Sequence, residues 1–388
     1  MQENAFQVAI IGAGLGGLCL AQGLKKHGIA FAVFERDAAL DSRSQGYRIR
    51  INGDGQAALR RCLPPDLCAL FETSCAAELN VPQAFDVQLN GVARWNDAWR
   101  SGEPGPVDLK ANRHTLREVL MCGIAEHVHF NKELRGVVRH GCDAVSFDFA
   151  DGSAYRADLL VGADGSNSRV AALCFPAMRG LDADVVCIYG KADVANLAIA
   201  DALRGGTSVV FDAQLAMVID AMRFSPAGDG VLSAVDDYLY WAMIGRRQRF
   251  GLIDGAFSRE ADARRCIADV SAGWAPGLRA VFAATPPGVL TMLQVRQSPP
   301  PQAWLQGRVT VLGDAVHTMS PASGLGCNTA FLDAASLAAQ LAVAADGPLT
   351  LDQAVAAYEL EMRERAVAAL EESERGGEQL YGSDIRGF

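Results

Sequence analysis

Three groups of residues in this sequence have types and spacings suited to holding a ligand. The first is Gly12, Gly14 and Gly17, a G-x-G-x-x-G turn with Glu35 following 18 positions after its last glycine. Glycines so spaced let a backbone turn tightly and approach a pyrophosphate, and a carboxylate at that distance accepts hydrogen bonds from ribose hydroxyls. The second is Asp164 within Gly162-Ala163-Asp164-Gly165, a carboxylate set in a tight turn. The third runs from Gly313-Asp314 through Pro321, Gly324, Gly326 and Cys327 to Asn328. Asp314 is placed to accept from sugar-like hydroxyls, and the glycines allow a backbone to lie close to a flat ligand. Alone, this third group reads equally well as an ordinary glycine-rich connection. The other two give it force.

The elements that position these groups follow from hydrophobic pattern. Phe6–Ile11 reads as a buried strand, followed after the glycine turn by an amphipathic helix to about His27 and a second strand, Val33-Phe34-Glu35. Asp158–Val161 leads as a strand into the Asp164 turn, which puts that carboxylate at the carboxyl edge of a parallel sheet. Val309–Leu312 is a third short strand, and an alanine-rich helix begins near Asn328. A helix start offers unpaired N–H groups and partial positive charge, and so favours an anionic or electron-rich ligand.

Between these stretches, Gly46–Ile51 alternates with period two, placing Tyr47, Ile49 and Ile51 on one face and Arg48 and Arg50 on the other. Two arginines on one face could receive a carboxylate or phosphate, or form an ion-paired edge. Gln56–Leu70 reads as a helix broken at Pro64-Pro65, and Ala111–Leu120 as a helix with Arg113 at its start, touching a cofactor or forming a surface ion pair. Leu134–His140 and Ala144–Phe149 read as strands. Gly206–Asp212, Leu215–Met222 and Tyr238–Ile244 read as an antiparallel sheet, followed by helical sequence over Arg259–Ala284 and a charged amphipathic helix from Leu351 to about Gln379. Tyr189, Phe211, Met217, Tyr240 and Trp241 are either pocket linings from that sheet or ordinary core.

With 388 residues, half of them hydrophobic, the chain is long enough for two cores. Its net charge of −10 argues against a nucleic-acid face. No run approaches the roughly 18 apolar residues of a membrane span, and no signal-peptide layout stands at the amino terminus, so the expectation is a cytoplasmic protein. The ten cysteines contain no CxxC pair, which leaves no zinc spacing and no expected metal.

Taken in order, GAGLGG with Glu35, the GADG stretch and GDAVHTMSPASGLGCN resemble the class A FAD-dependent monooxygenases, the para-hydroxybenzoate hydroxylase-like aromatic hydroxylases. The resemblance implies an α/β fold: a Rossmann-like FAD-binding domain (1–75, 101–178 and 290–388) with an inserted antiparallel-sheet substrate domain (76–100 and 179–289) and a carboxyl-terminal helix. It implies that Gly12, Gly14 and Gly17 cradle the FAD pyrophosphate and Glu35 holds the adenosine ribose. Arg36, Arg43 and Arg113 would touch FAD, and Asp164 would serve FAD and nicotinamide binding together. Asp314 would meet the ribityl chain or pyrophosphate, with Pro321, Gly324, Gly326, Cys327 and Asn328 against the isoalloxazine. One departure stands out, since Ala171 occupies the place where the family often carries an arginine, with Arg169 nearby. Because the sequence ends soon after its last helix, the expectation is a protein without the thioredoxin-like third domain or membrane tail of some larger relatives.

The chemistry implied is reduction of the flavin by NAD(P)H, addition of O2 at flavin C4a, and delivery of one oxygen atom by the hydroperoxide to an aromatic or polyketide-like small molecule. No protein nucleophile or acid–base residue stands out. Arg48, Arg50, Tyr240 and Pro321 are the candidates near the reacting centre, and His317 is more simply structural. The alternative is a flavoprotein reductase or dehydrogenase of the same fold that inserts no oxygen. A monomer and a homodimer are both compatible with the sequence.

Overall fold

The computed structural model describes residues 6–42, 47–77, 83–92, 106–141, 144–196, 198–225, 230–252, 259–304 and 307–382. Its first sheet is parallel throughout, with Val309–Val311, Leu159–Gly162, Gln7–Ile11, Ala30–Phe34 and Val128–His129 side by side in that order. The sequences QVAII, LLVG and VTV are buried at every position but Gln7, as strands covered on both faces must be. Helix Leu15–Lys26 crosses helix Gly326–Ala345 on a seam of small residues. A Cβ on Gly16 would come within 3.3 Å of Ala330 Cβ, and one on Gly23 within 2.7 Å of Ala338 Cβ. The two helices approach closely because those side chains are missing.

The second sheet has six strands: Thr291–Gln297, Leu181–Ala192, Tyr238–Arg246, Leu215–Met222, Thr207–Asp212 and Gln83–Asp86. All pairs are antiparallel except the last, which is parallel. One face carries Ile188, Met217, Ile219, Trp241 and Met243 into a core shared with helices Glu260–Val270 and Pro276–Ala283. The opposite, inner face carries Cys187, Tyr189, Val218 and Ala242 in a cluster with Ala322. Arg48–Ile51 and Leu109–Asn112 pair as a two-stranded ribbon, and Leu134–His140, Ala144–Phe149 and Ala154–Ala157 form a separate three-stranded sheet.

Two strands go beyond the sequence expectation. Leu181–Ala192 is twelve residues long and central to the sheet, but its pattern is broken by a register shift between Asp182 and Val186, with Asp184 at a φ of 55°. Past the shift it reads VVCIYG, apolar on both faces and without alternation. Thr291–Gln297 is an edge strand interrupted by polar residues, and it pairs with the second sheet although residues from 290 onward were expected with the first.

Helix Leu351–Tyr381 opens on a capping box in which Thr350 and Gln353 satisfy each other's backbone N–H groups. It runs along Gly326–Ala345 and reaches the second sheet, where Leu380 and Tyr381 join Val185, Phe211 and Ile244. Gly376 lets it approach the Pro321–Ser323 turn, since a Cβ there would stand 3.3 Å from that of Ser323. Among the described residues no helix is long and apolar enough to cross a membrane.

Candidate active site

Register makes the parallel strand ends level. Ile11 lies opposite both Phe34 and Gly162, and Gly162 opposite Val311. The residues that follow, Gly12, Glu35, Asp164 and Asp314, therefore emerge along one edge of the sheet, the edge where open α/β sheets bind ligands. A cleft of about 410 Å³ opens there, and its walls include Gly12, Gly14, Glu35, Arg36, Arg113, Asp164 and Asp314 from the sequence expectation. Arg43 lies outside the described residues.

The three glycines are there for different reasons. Gly12 has a φ of 108°, and a Cβ on it would stand 2.5 Å from the Ala163 carbonyl oxygen. Gly17 is buried beneath the turn, where a Cβ would stand 2.2 Å from the Gly12 oxygen. Gly14 has no such neighbour: the nearest atom would be the Ala163 oxygen at 3.9 Å. Packing requires the first and third glycines. Only an approaching ligand would require the second.

Glu35 is buried and already holds the turn in shape. It accepts from Ala13 N at 2.8 Å through one oxygen and from Asp37 N at 3.0 Å through the other. Each carboxylate oxygen keeps further lone pairs for a ligand hydroxyl. Asp164 caps the helix that follows it, accepting from Ser168 Oγ at 2.5 Å, Arg169 N at 2.6 Å and Val170 N at 3.2 Å. Burial raises its pKa, opposed by these hydrogen bonds. Arg169 lines the cleft, whereas Ala171 is buried in the short helix behind it.

Asp314 is open to the cleft and enclosed by protein elsewhere. Desolvation raises its pKa, opposed by the charges of His317 and Arg113. His317 itself is fully buried, with Nε2 2.7 Å from Asp333 Oδ2, and Asp333 also accepts from Gly313 N at 3.0 Å and from Arg365 Nε at 2.9 Å. His317 is thus part of the support that holds the Gly313 turn. Arg113 is the most informative cleft residue. Its guanidinium lies 5.6 Å from the Tyr47 ring centroid, yet its Nη1 is buried without a hydrogen-bond partner among the described residues. Four residues along the same helix, Arg117 donates to the Ala13 and Leu40 carbonyls and thereby braces the glycine turn. Sequence reasoning passed over Arg117, although its helical spacing from Arg113 places both on one face.

The third group stands beside the inner end of the cleft. A Cβ on Gly326 would lie 3.6 Å from Asp314 Oδ1, and Gly324 turns the chain at a φ of 66°. No side chain caps the start of helix Gly326–Ala345, so its first N–H groups remain available. The Cys327 thiol is pushed up to about 12 by burial, and it is inert at neutral pH. Pro321 is exposed at the head of its turn. Asn328 is a tie: its Oδ1 accepts from Asn52 N at 3.0 Å, and its Nδ2 donates to Arg50 O at 3.1 Å and Gly324 O at 2.9 Å.

Arg48 and Arg50 are ion-paired. Arg48 lies 2.9 Å from Asp220, a carboxylate of the second sheet that Lys110 also meets at 3.0 Å, and Arg50 lies 2.5 Å from Asp108. Of the two sequence readings, the ion-paired edge is the one the geometry shows. Tyr240 sits on the inner face of the second sheet, half-buried, and desolvation keeps its phenol protonated. On the same face Tyr189 meets Tyr47 with ring centroids 5.0 Å apart. The path from sheet to cleft therefore runs Tyr189, Tyr47, Arg113. Of the other aromatic and apolar candidates, Met217 and Trp241 are fully buried in the opposite face's core.

Comparison with known proteins gives the same picture. An FAD binding domain family matches residues 268–373, and an NAD(P)-binding Rossmann-like domain matches residues 10–56. A solved structure from Photorhabdus luminescens assigned as a FAD-containing monooxygenase is 30% identical, with a TM-score of 0.83 over 97% of this chain and 99% of that one. The dual O-methyltransferase/FAD-dependent monooxygenase of Cercospora beticola is 34% identical over 97% of this chain and 46% of its own length. The chain thus spans about half the length of this and similar curated relatives. The aurachin C monooxygenase/isomerase of Stigmatella aurantiaca is 28% identical over 90% of this chain and 84% of its own.

Proposed function

Because the chain belongs to the class A FAD-dependent monooxygenases, we propose that it uses NAD(P)H and O2 to insert one oxygen atom into an aromatic or polyketide-like small molecule. The observation that carries this reading is the buried Nη1 of Arg113, without a hydrogen-bond partner among the described residues, which lies where the cleft meets Tyr47 and, beyond it, Tyr189 of the second sheet. Such a donor costs about 1–3 kcal/mol if left unsatisfied, and Arg113 lines the same cleft as Gly12 and Gly14. The uncapped helix start and the open space at Gly14 fit the same group.

Bound FAD would supply the electron transfer and the activation of O2; the chain's residues would bind, orient and insulate. The Gly12 and Gly14 backbone would approach the pyrophosphate, and Glu35 would accept from the adenosine ribose. Arg36 stands on the adenosine side. Arg113 would donate to the cofactor, and Asp314, which lines the same cleft, would meet its ribityl chain or pyrophosphate. The start of helix Gly326–Ala345 favours negative charge on the ring edge. Pro321 and its turn separate that edge from the inner face of the second sheet, where Tyr189 and Tyr240 receive the substrate. Residues 1–75, 101–178 and most of 290–388 hold FAD in this reading, with 76–100 and 179–289 as the substrate domain and Thr291–Gln297 transferred to it.

The test is isotopic. Protein loaded with FAD is supplied with NAD(P)H, labelled ¹⁸O₂ and a panel of phenols and polyketide-like compounds, and products are weighed. One labelled oxygen per product molecule is expected. NAD(P)H oxidation with an altered but unlabelled product would make the protein a reductase or dehydrogenase instead.

A further inference from the structure

The inner face of the second sheet is not uniformly packed. Tyr189, Lys191, Val218, Tyr240 and Ala242 are half-buried there while their neighbours on the opposite face are sealed. Strand register sets their arrangement. Lys191 lies directly opposite Tyr240, Tyr240 opposite Asp220, and Asp220 opposite Thr207, which makes one polar row. The adjacent row, Tyr189, Ala242 and Val218, is apolar and packs with Ala322. A flat apolar floor thus ends at a line of polar groups.

The cations around that line are not equivalent. Arg48 and Lys110 both meet Asp220, at 2.9 and 3.0 Å, and Thr207 Oγ1 adds a hydrogen bond at 3.1 Å. Lys191 has no carboxylate partner among the described residues. Its Nζ stands 4.5 Å from the Tyr238 ring centroid, and desolvation lowers its pKa. An ammonium removed from water with only a ring face beneath it lacks the hydrogen-bond acceptors it could take. Of these three cations, Arg48 and Lys110 meet the Asp220 carboxylate and Lys191 does not.

We propose that Lys191 is the specificity-determining cation of the substrate site, pairing with an anionic oxygen of a planar substrate (a carboxylate, a phenolate or the enolate of a 1,3-dicarbonyl) whose ring system lies on Tyr189, Ala242 and Val218. The inference rests on the monooxygenase reading and names the charge its substrate carries. Lys191 acts by binding and positioning; no proton transfer is assigned to it.

The experiment uses FAD-loaded protein and calorimetric titration with matched planar probes, each pair differing only in charge: 2-naphthoate against 2-naphthamide, and anthracene-2-carboxylate against its amide. Wild type is expected to favour the anion of at least one pair by about tenfold, the size of one charge-assisted hydrogen bond. Lys191→Met should abolish that preference while leaving the amide's affinity within about twofold, and Lys191→Arg should restore most of it. Absence of any anion preference in wild type, or its survival in Lys191→Met, would overturn the assignment. Should Lys191→Met lose its FAD, the wild-type pairs and Lys191→Arg still decide. Reduction of the flavin by NAD(P)H, followed in the same samples by absorbance, tests the monooxygenase reading separately.

Discussion

The cleft at the parallel sheet's edge is made of backbone, whereas the inner face of the six-stranded sheet is made of side chains. In the cleft, the shape comes from Gly12 against Ala163, Gly17 against Gly12, and strand ends made level by register. On the sheet face, the shape comes from residues such as Lys191, Tyr240 and Asp220, brought into one row from strands far apart in sequence. A site of backbone tolerates few residue types and keeps its ligand. A site of side chains can change ligand by changing one residue, because the sheet beneath does not depend on which side chain faces inward. Fold fixes the cofactor more tightly than it fixes the substrate.

The hardest blow to the sheet face is Asp220→Ala. It leaves Arg48 and Lys110 without their shared carboxylate, and it should cost about 3–5 kcal/mol in denaturant unfolding. A loss below about 1 kcal/mol would mean that the polar row is not built around this carboxylate. Next comes Gly17→Ala in the cleft, whose Cβ meets a backbone oxygen at 2.2 Å. Overpacking of this kind costs about 1–3 kcal/mol, read as a lower melting temperature of the apoprotein together with weaker FAD retention.

Glu359 gives a contrast with Asp220. It is buried and accepts from Trp304 Nε1 at 3.0 Å, and desolvation, opposed by its hydrogen bonds and by the charges of Arg363 and Arg139, raises its pKa to about 7 from the usual 4.5. A carboxyl with a raised folded-state pKa contributes stability below its unfolded value and loses it as pH rises through the folded one. Stability should therefore fall between pH 4.5 and somewhat above 7, by on the order of 3 kcal/mol from this group. Glu359→Gln should flatten that stretch of the stability–pH curve, and an unchanged slope would remove Glu359 as its source. The gentlest change is Gly14→Ala. With no protein atom nearer than 3.9 Å to the new Cβ, apoprotein stability should move by no more than about 0.5 kcal/mol. FAD retention should nonetheless fall, measured by dialysis and flavin absorbance. Equal retention would place the ligand backbone away from Gly14.

The two regions also differ in how far the sequence disclosed them. Gly12, Glu35, Asp164 and Asp314 announce a cleft because backbone geometry needs particular residues at short spacings, and those spacings survive in one dimension. The strands Leu215–Met222 and Leu134–His140 are visible for the same local reason. The inner face is different: Tyr189 and Tyr240 stand out as aromatics on expected sheet positions, but nothing local says that Lys191 faces Tyr240 or that Asp220 neutralises Arg48. Those facts come from register. Leu181–Ala192 hides behind its own irregularity at Asp184, and Arg117 looks like a surface arginine until its helix is laid against the glycine turn. Trp241, a candidate pocket lining by type alone, faces the other way because its strand position has the opposite parity to Tyr240.

The carboxyl-terminal helix has a metrical consequence. Its 31 residues make a rod about 46 Å long, pinned near one end where Arg308 meets Asp352 at 3.3 Å and at the other where Tyr381 Oη meets Ser320 Oγ at 2.9 Å. The two pins lie toward different sheets, so the rod serves as a gauge block between them. One residue inserted at its middle would advance the far end by about 1.5 Å and rotate it by about 100°, turning Tyr381 off Ser320. Seven would restore the bearing to within about 20° while overshooting by about 10 Å. No insertion preserves both, so the spacing between the Arg308 and Ser320 pins is recorded in this chain as a count of residues.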